Sequence, residues 1–206
     1  MTIQVPQWQG DPQRFVAELL TWYETVGASN YDEQVTQLAH ALQTAAHARQ
    51  NGASDLEIGA ALLHDVGHFL VREHRQQGDF LERDLQHETV GAAWLKQYFP
   101  PALAQLVRLH VPAKRWLCTT DAAYWNGLSD ASKRSLEVQG GRMCPDEVAA
   151  FEAEEGWQAA VALRQYDDLG KQRDRDVPGL DSYRELLLEL LTPPGPAKGA
   201  EATISQ

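Results

Sequence analysis

What most constrains this chain is its punctuation. A capping residue or helix-initial proline, an apolar stripe at spacings of three and four, then a glycine or proline stop recurs from one end to the other. The alternation of a strand never replaces it. Asp11-Pro12 is a cap with proline at the first helical position, and Phe15, Leu19, Trp22 and Val26 line one face before Gly27. The Ala-, Gln- and Leu-rich run from Val35 to Arg49 stops at Asn51-Gly52. Ser54 and Glu57 form a capping box, opening a helix through Ile58, Ala61 and Leu62 that runs out near Gly67. A polar loop over 72–84 follows. Asp84 caps the next helix, which reaches Tyr98 before Pro100-Pro101. A short helix then ends at Val111 under Pro112. Further on, a short helix lies around Ala122 to Asn126, and Ser129 caps another that stops at Gly140-Gly141. Pro145 opens one more, and Gly156 separates it from the helix carrying Arg164 and Asp167. Asp181 caps the last, with Leu186, Leu187, Leu190 and Leu191. The pattern predicts an all-α fold of about eight to nine helices.

At 206 residues the chain suffices for one domain with a proper core; that domain is expected over 1–191, with a disordered tail over 192–206. The net charge of −11 argues against a main role in coating nucleic acid or an anionic membrane. With 43% hydrophobic and 23% charged residues, wholesale disorder is excluded. Two cysteines, Cys118 and Cys144, supply neither a disulfide scaffold nor a thiolate zinc site. No apolar run is long enough for a membrane span, and the first residues lack the pattern of a signal peptide. The expectation is a soluble cytoplasmic protein, a monomer or weak homodimer, with no nucleic-acid or membrane partner.

Histidine carries the chemical information. His64-Asp65 ends the apolar run Ala60-Ala61-Leu62-Leu63. As a dipeptide it is weak, since this composition supplies about half such a pair by chance. Its placement says more: an imidazole and a carboxylate at a helix end can converge on one cation, and a carboxylate can bridge two. His40, His87, His110 and Asp167 lie on separate predicted helices, and helices around a core can each bring one residue to a point. Four His and two Asp suffice for two ions sharing Asp65. Nitrogen and oxygen donors without thiolate suit iron, manganese or zinc. His47 and His74 read as ordinary histidines. Asp168 reads as solvated or as a partner to the ligand beside it, and the glutamates after Asp146 as an exposed acidic face. The tryptophans read mostly as core, with Trp116, after a basic pair, the exception.

The order His40, His64-Asp65, His87, His110, Asp167 resembles the HD-domain superfamily in its dinuclear form. Surrounding words narrow it: Tyr31-Asp32-Glu33-Gln34-Val35, Gln37-Leu38-Ala39-His40-Ala41-Leu42-Gln43, His64-Asp65-Val66-Gly67-His68, His110-Val111-Pro112-Ala113-Lys114-Arg115, Leu128-Ser129 to Gln139-Gly140-Gly141, and Arg164-Gln165-Tyr166-Asp167. Together, over roughly Gly27 to Lys171, they look like the PhnZ-type oxygenases. The resemblance implies an all-α HD-domain bundle with a dinuclear metal site in its core. It implies two iron ions, Fe(II)/Fe(III), with O₂ as co-substrate. The first iron would be held by His40, His64, Asp65 and Asp167, the second by His87, His110 and the other oxygen of Asp65. In that family a tyrosine from the loop before the first ligand occupies the second iron until substrate arrives. Tyr31 is the matching residue, in a segment one residue shorter than the family's Tyr-x-Gly-Glu and without its glycine.

The implied reaction is oxidative cleavage of the carbon–phosphorus bond of a 1-hydroxy-2-(amino or trimethylammonio)ethylphosphonate. Its products are phosphate and glycine or glycine betaine. An acidic protein that binds a phosphonate needs local positive charge. Lys114 lies one turn beyond His110, and Arg164 three residues before Asp167. His68 shares a face with His64 if the helix continues. Ser132 and Ser135 are candidate hydroxyl donors to the phosphonate. Glu33 would face the amine, and Asp32, a second acid there, favours the quaternary ammonium. Rival readings are an HD-domain phosphohydrolase using the same two metals to activate water, a polyol oxygenase, and a signalling module. Glu33 with Tyr31 sets the oxygenase apart from the hydrolase.

Overall fold

Most helices of the computed structural model, which describes residues 4–29, 35–71 and 86–193, begin where a side chain or proline resolves the unpaired N–H groups of the first turn. Asp11 accepts from the N–H groups of Gln13 and Arg14 at the head of α1 (Pro12–Val26). Thr36 does the same for Ala39 in α2 (Gln37–Gln50). Ser54 and Glu57 close the expected capping box on α3 (Asp55–Leu63). There follow α4 (Val66–Leu70), α5 (His87–Leu95), α6 (Pro101–Thr120), α7 (Ala122–Gly127), α8 (Asp130–Val138), α9 (Pro145–Glu152) and α10 (Trp157–Leu169). After them come a 3₁₀ turn, Leu180–Tyr183, and α11 (Arg184–Leu190). Among the described residues there is no strand, as the sequence pattern requires.

The punctuation misleads both in the number of helices and in where several of them end or begin. Eleven α-helices are present among the described residues where about eight to nine were expected. The helix expected to run out near Gly67 breaks earlier, at His64-Asp65, and restarts as α4. The helix expected to reach Tyr98 ends at Leu95. Asp181 does not cap the last helix; it sits in the 3₁₀ turn and accepts from Arg184 Nε. A further departure concerns Pro112, which does not end α6 but sits inside it. A mid-helix proline leaves one carbonyl, here that of Arg108, without its donor and costs about 3 kcal/mol or more. Burial of Leu106, Val107, Leu109 and Val111 before it, and of Ala113, Leu117 and Cys118 after it, outweighs that cost. The loop over 72–84, Asp84, His74, Tyr31, Asp32, Glu33 and the tail beyond 193 lie outside the described residues.

The long helix α6 is the spine. It packs against α10, α5 and α3, while α2 lies against α3 and α10. Trp22 and Tyr23 of α1 meet Phe69 of α4 edge-on, and Trp22 also tilts against Trp94 of α5. Leu186 and Leu187 of α11 complete the core. Trp116 belongs to it too, packed on Trp157 and partly buried. The approach of α4 to α5 depends on glycine. A Cβ at Gly67 would fall 1.8 Å from the carbonyl oxygen of His87, and one at Gly91 3.1 Å from the backbone nitrogen of Gly67. This contact brings the start of α5 to the break between α3 and α4. Among the described residues no helix is long and apolar enough to cross a membrane.

Candidate metal centre

Backbone carbonyls and one carboxylate fix the Nδ1 side of the site's imidazoles. Gly170, just past α10, accepts from His40 Nδ1 at 3.0 Å. Ala61, whose carbonyl faces the break after α3, accepts from His64 Nδ1 at 2.9 Å. Val107 accepts from His110 Nδ1 at 2.7 Å, and Glu88 Oε2 lies 3.6 Å from His87 Nδ1. With the proton held on Nδ1, each Nε2 presents a lone pair inward. Yet His40 Nε2 and His64 Nε2 are 3.2 Å apart, and His87 Nε2 and His110 Nε2 3.1 Å apart. Two lone pairs so disposed repel each other unless a cation lies between them.

Asp65 joins the two pairs. Its Oδ2 is 3.5 Å from His40 Nε2 and 3.4 Å from His64 Nε2. Its Oδ1 is 3.6 Å from His87 Nε2 and 3.7 Å from His110 Nε2. Asp167 completes the first group, with Oδ1 3.3 Å from His40 Nε2, and that buried oxygen has no hydrogen-bond partner. Ligand atoms at about 2.0–2.2 Å from one ion stand about 3.0–3.5 Å apart, so these spacings fit metal coordination. The donor set is nitrogen and oxygen only, which suits iron, manganese or zinc. All six expected ligands are therefore brought together, in two groups sharing one carboxylate. His68, despite the helix break, also arrives: its Nε2 is 3.7 Å from Asp65 Oδ1, and its ring stacks on His87 at 3.9 Å.

The electrostatics favour the metal-binding protonation states. Burial pushes the Asp65 carboxyl upward, but His64, His68, His87 and His40 outweigh it and hold it below the usual carboxylate range. At Asp167 burial is likewise overcome by Arg164 and Lys171. Burial lowers His64 and, with His68 and His110, holds His87 well down; burial and His64 bring His110 to about 4.

Beside the ligands lie two cations that are 4% and 5% exposed, Lys114 and Arg164. Because α6 continues through Pro112, Lys114 stands one turn beyond His110 on the same helix. Its Nζ donates to Ser135 Oγ at 2.5 Å and to Gln139 Oε1 at 3.1 Å. Burial, reinforced by the charge of Arg164, brings Lys114 down to about 7. Arg164 Nη1 donates to Asp167 Oδ2 at 2.5 Å, and its other edge meets Asp168. Ser132 Oγ meets Ser129 Oγ, one turn from Ser135. His47 lies within 2.6 Å of Arg175 instead of with the ligands. Of the acidic residues after Asp146, Glu147 pairs with Arg115 and Glu154 with Arg108. Sequence reading missed Tyr124, Glu88 and Gly170, and gave Gln139 no role beyond its place in the run Gln139-Gly140-Gly141. Only Gly170 carried a signal, as a glycine closing the helix that bears Asp167.

An HD-domain family model matches residues 34–140, which include every expected ligand but Asp167. A hydroxymethylphosphonate dioxygenase of Gimesia maris is 49% identical over 172 residues, 84% of this chain and 86% of that protein. The glycine-betaine-forming [1-hydroxy-2-(trimethylamino)ethyl]phosphonate dioxygenase of Leisingera caerulea is 44% identical over 146 residues, 71% and 74% of the two chains. An uncharacterised protein of Acanthamoeba polyphaga mimivirus is 32% identical over 179 residues, 86% and 82%. A family match over half the chain, relatives that align with most of it and the paired histidine groups agree: the chain belongs to the HD-domain family, among its PhnZ-type oxygenases.

Proposed function

We propose that this enzyme uses O₂ to cleave the carbon–phosphorus bond of a hydroxyalkylphosphonate, releasing phosphate and a carboxylate. The carrying observation is Asp65, whose two oxygens face two imidazole pairs beside the buried cations Lys114 and Arg164. The names of two relatives, both phosphonate dioxygenases, support the same class of substrate. The overall change is R–CH(OH)–PO₃²⁻ + O₂ → R–COO⁻ + HPO₄²⁻ + H⁺, in which O₂ accepts four electrons.

The metals are proposed to be a mixed-valence Fe(II)/Fe(III) pair, held by His40, His64, Asp65 and Asp167 on one side and by His87, His110 and Asp65 on the other. When bound, the pair supplies the redox chemistry. The chain's own residues do the rest. Lys114 and Arg164 draw the phosphonate dianion into a low-dielectric site where charge pairing is strong. Ser135 and Gln139 orient the ammonium of Lys114, and Ser132 is proposed as a second hydroxyl donor. His68, stacked on His87, stands where it can receive or give a proton at the reacting end. The proteins' interior position of these groups keeps the reacting carbon against the ligand cluster and away from bulk water.

The finer reading is an amino or trimethylammonio group on the neighbouring carbon, faced by Glu33, with Asp32 favouring the quaternary ammonium and Tyr31 guarding the second metal. The decisive experiment incubates the iron-loaded protein under labelled O₂ with three substrates: hydroxymethylphosphonate and the amino and trimethylammonio hydroxyethylphosphonates. Label in the carboxylate and strict O₂ dependence of phosphate release are expected. Release without O₂ would instead mean a hydrolase. Turnover of hydroxymethylphosphonate alone would reject the roles given to Glu33 and Asp32.

A further inference from the structure

Arg164 lies between two adjacent carboxylates. Its Nη1 donates to Asp167 Oδ2, its Nη2 to Asp168 Oδ1, and its Nε lies 3.2 Å from Asp168 Oδ2 and 3.1 Å from Tyr124 Oη. Tyr124 Oη in turn donates to Asp168 Oδ2 at 2.5 Å, closing a ring of three side chains. Tyr124 comes from α7, which buries no residue of its own, so this polar link is a principal tie between α7 and α10.

A guanidinium beside a carboxylate prefers the two-pronged pairing that takes both oxygens. On Asp167 that pairing would claim Oδ1, the oxygen that faces His40 Nε2 at 3.3 Å and Lys171 Nζ at 3.6 Å and carries no hydrogen bond. Asp168 prevents it by occupying the Nε–Nη2 edge, so that only Nη1 reaches Asp167. We propose that Asp168 and Tyr124 are positioning residues that clamp Arg164 beside Lys114 in the oxyanion site and leave Asp167 Oδ1 to the metal. The inference rests on the proposed reading of Lys114 and Arg164 as that oxyanion site.

A plain charge argument predicts the opposite of the clamp. Asp168 is an anion near an anion site, so its neutralisation should tighten binding. The test uses the full iron-loaded chain carrying Asp168→Asn, Tyr124→Phe, Arg164→Lys and the corresponding double substitutions. Calorimetry with inorganic phosphate gives Kd; steady-state kinetics, iron content and Tm are measured alongside. Asp168→Asn should weaken phosphate binding about tenfold, and raise KM similarly while kcat changes less than about twofold. Tyr124→Phe should cost about threefold, and neither substitution should add to Arg164→Lys. Unchanged or tighter phosphate binding in Asp168→Asn overturns the clamp, as do additive double variants or a lowered Tm with no change in Kd. Wild-type protein that shows this phosphate pattern but no O₂-dependent turnover overturns the proposed reaction and leaves the clamp standing. Wild-type protein that binds no phosphate overturns the clamp.

Discussion

Asp65 is the residue on which the site turns. Each of its oxygens serves a different imidazole pair, so its loss should cost both ions and not one. Wild type is expected to carry about two irons per chain and Asp65→Ala to lose most of them, with far-ultraviolet dichroism retained; elemental analysis of purified variant and wild type checks this. Lys114 sets a pH dependence whose sign can be worked out. Its pKa lies near 7, so it carries its proton below that pH and loses it above. In the proposed reading the charged form holds the phosphonate, and kcat/KM reports ionisations of the free enzyme. The ratio of wild-type to Lys114→Arg kcat/KM should therefore fall as pH rises through about 7, because arginine stays charged and the substrate's own ionisation cancels in the ratio. A flat ratio from pH 6 to 9 would remove Lys114 from the oxyanion site.

At the scale of elements, two glycine-dependent contacts matter more than any cap. Gly67 lets α4 touch the first residue of α5, and a Cβ there would meet backbone, which cannot swing aside. Gly67→Ala should destabilise the fold by about 2–3 kcal/mol, or about 4–12 °C in Tm. It should also empty the His87–His110 side of the centre before the His40–His64 side, read as about one iron per chain. Gly170 plays a similar part at the other side: its Cβ would crowd Thr44 Oγ1 at 2.5 Å and His40 Nδ1 at 3.2 Å, beside the carbonyl that fixes His40. The continuation of α6 through Pro112 belongs to this scale as well. Proline obeys its local rule only until the apolar surface on both sides outweighs the missing hydrogen bond.

For the whole molecule, the proposed centre would be both cofactor site and structural tie, since the residues that would hold the metals come from α2, α5, α6, α10 and the α3–α4 break. An ion that binds only the folded chain stabilises it by mass action, about 4 kcal/mol at a thousandfold excess over Kd. Chelation is thus expected to lower Tm by about 8–16 °C. In the chelated protein, burial lowers His64, His87 and His110, the last from 6.5 to about 4. Between those values the unfolded chain binds more protons than the folded one, so stability should rise with pH from about 4 to 6.5. Urea midpoints across that range measure it, and a flat profile would contradict neutral buried imidazoles.

Much of this was legible in the residues themselves. Caps at Asp11, Ser54 and Ser129 and stops at Gly27 and Gly140 act within a few bonds of their own backbone, so local sequence suffices for them. The ligand order was legible too, because metal donors are few in kind and Asp65 follows His64 directly. Other features needed the folded chain. Nothing near Tyr124 announces that it meets Arg164, 40 residues on, or that Gln139 meets Lys114. Pro112 and Asp181 were misread for the same reason. The sequence by itself determined where the capped and proline-led helices begin and which atoms could bind a metal, through short-range steric and hydrogen-bonding rules. Tertiary structure alone decided which of those atoms meet, because long-range packing, set by burial on both faces of α6 and by two bare glycines, is additive over the whole core and invisible in any one segment.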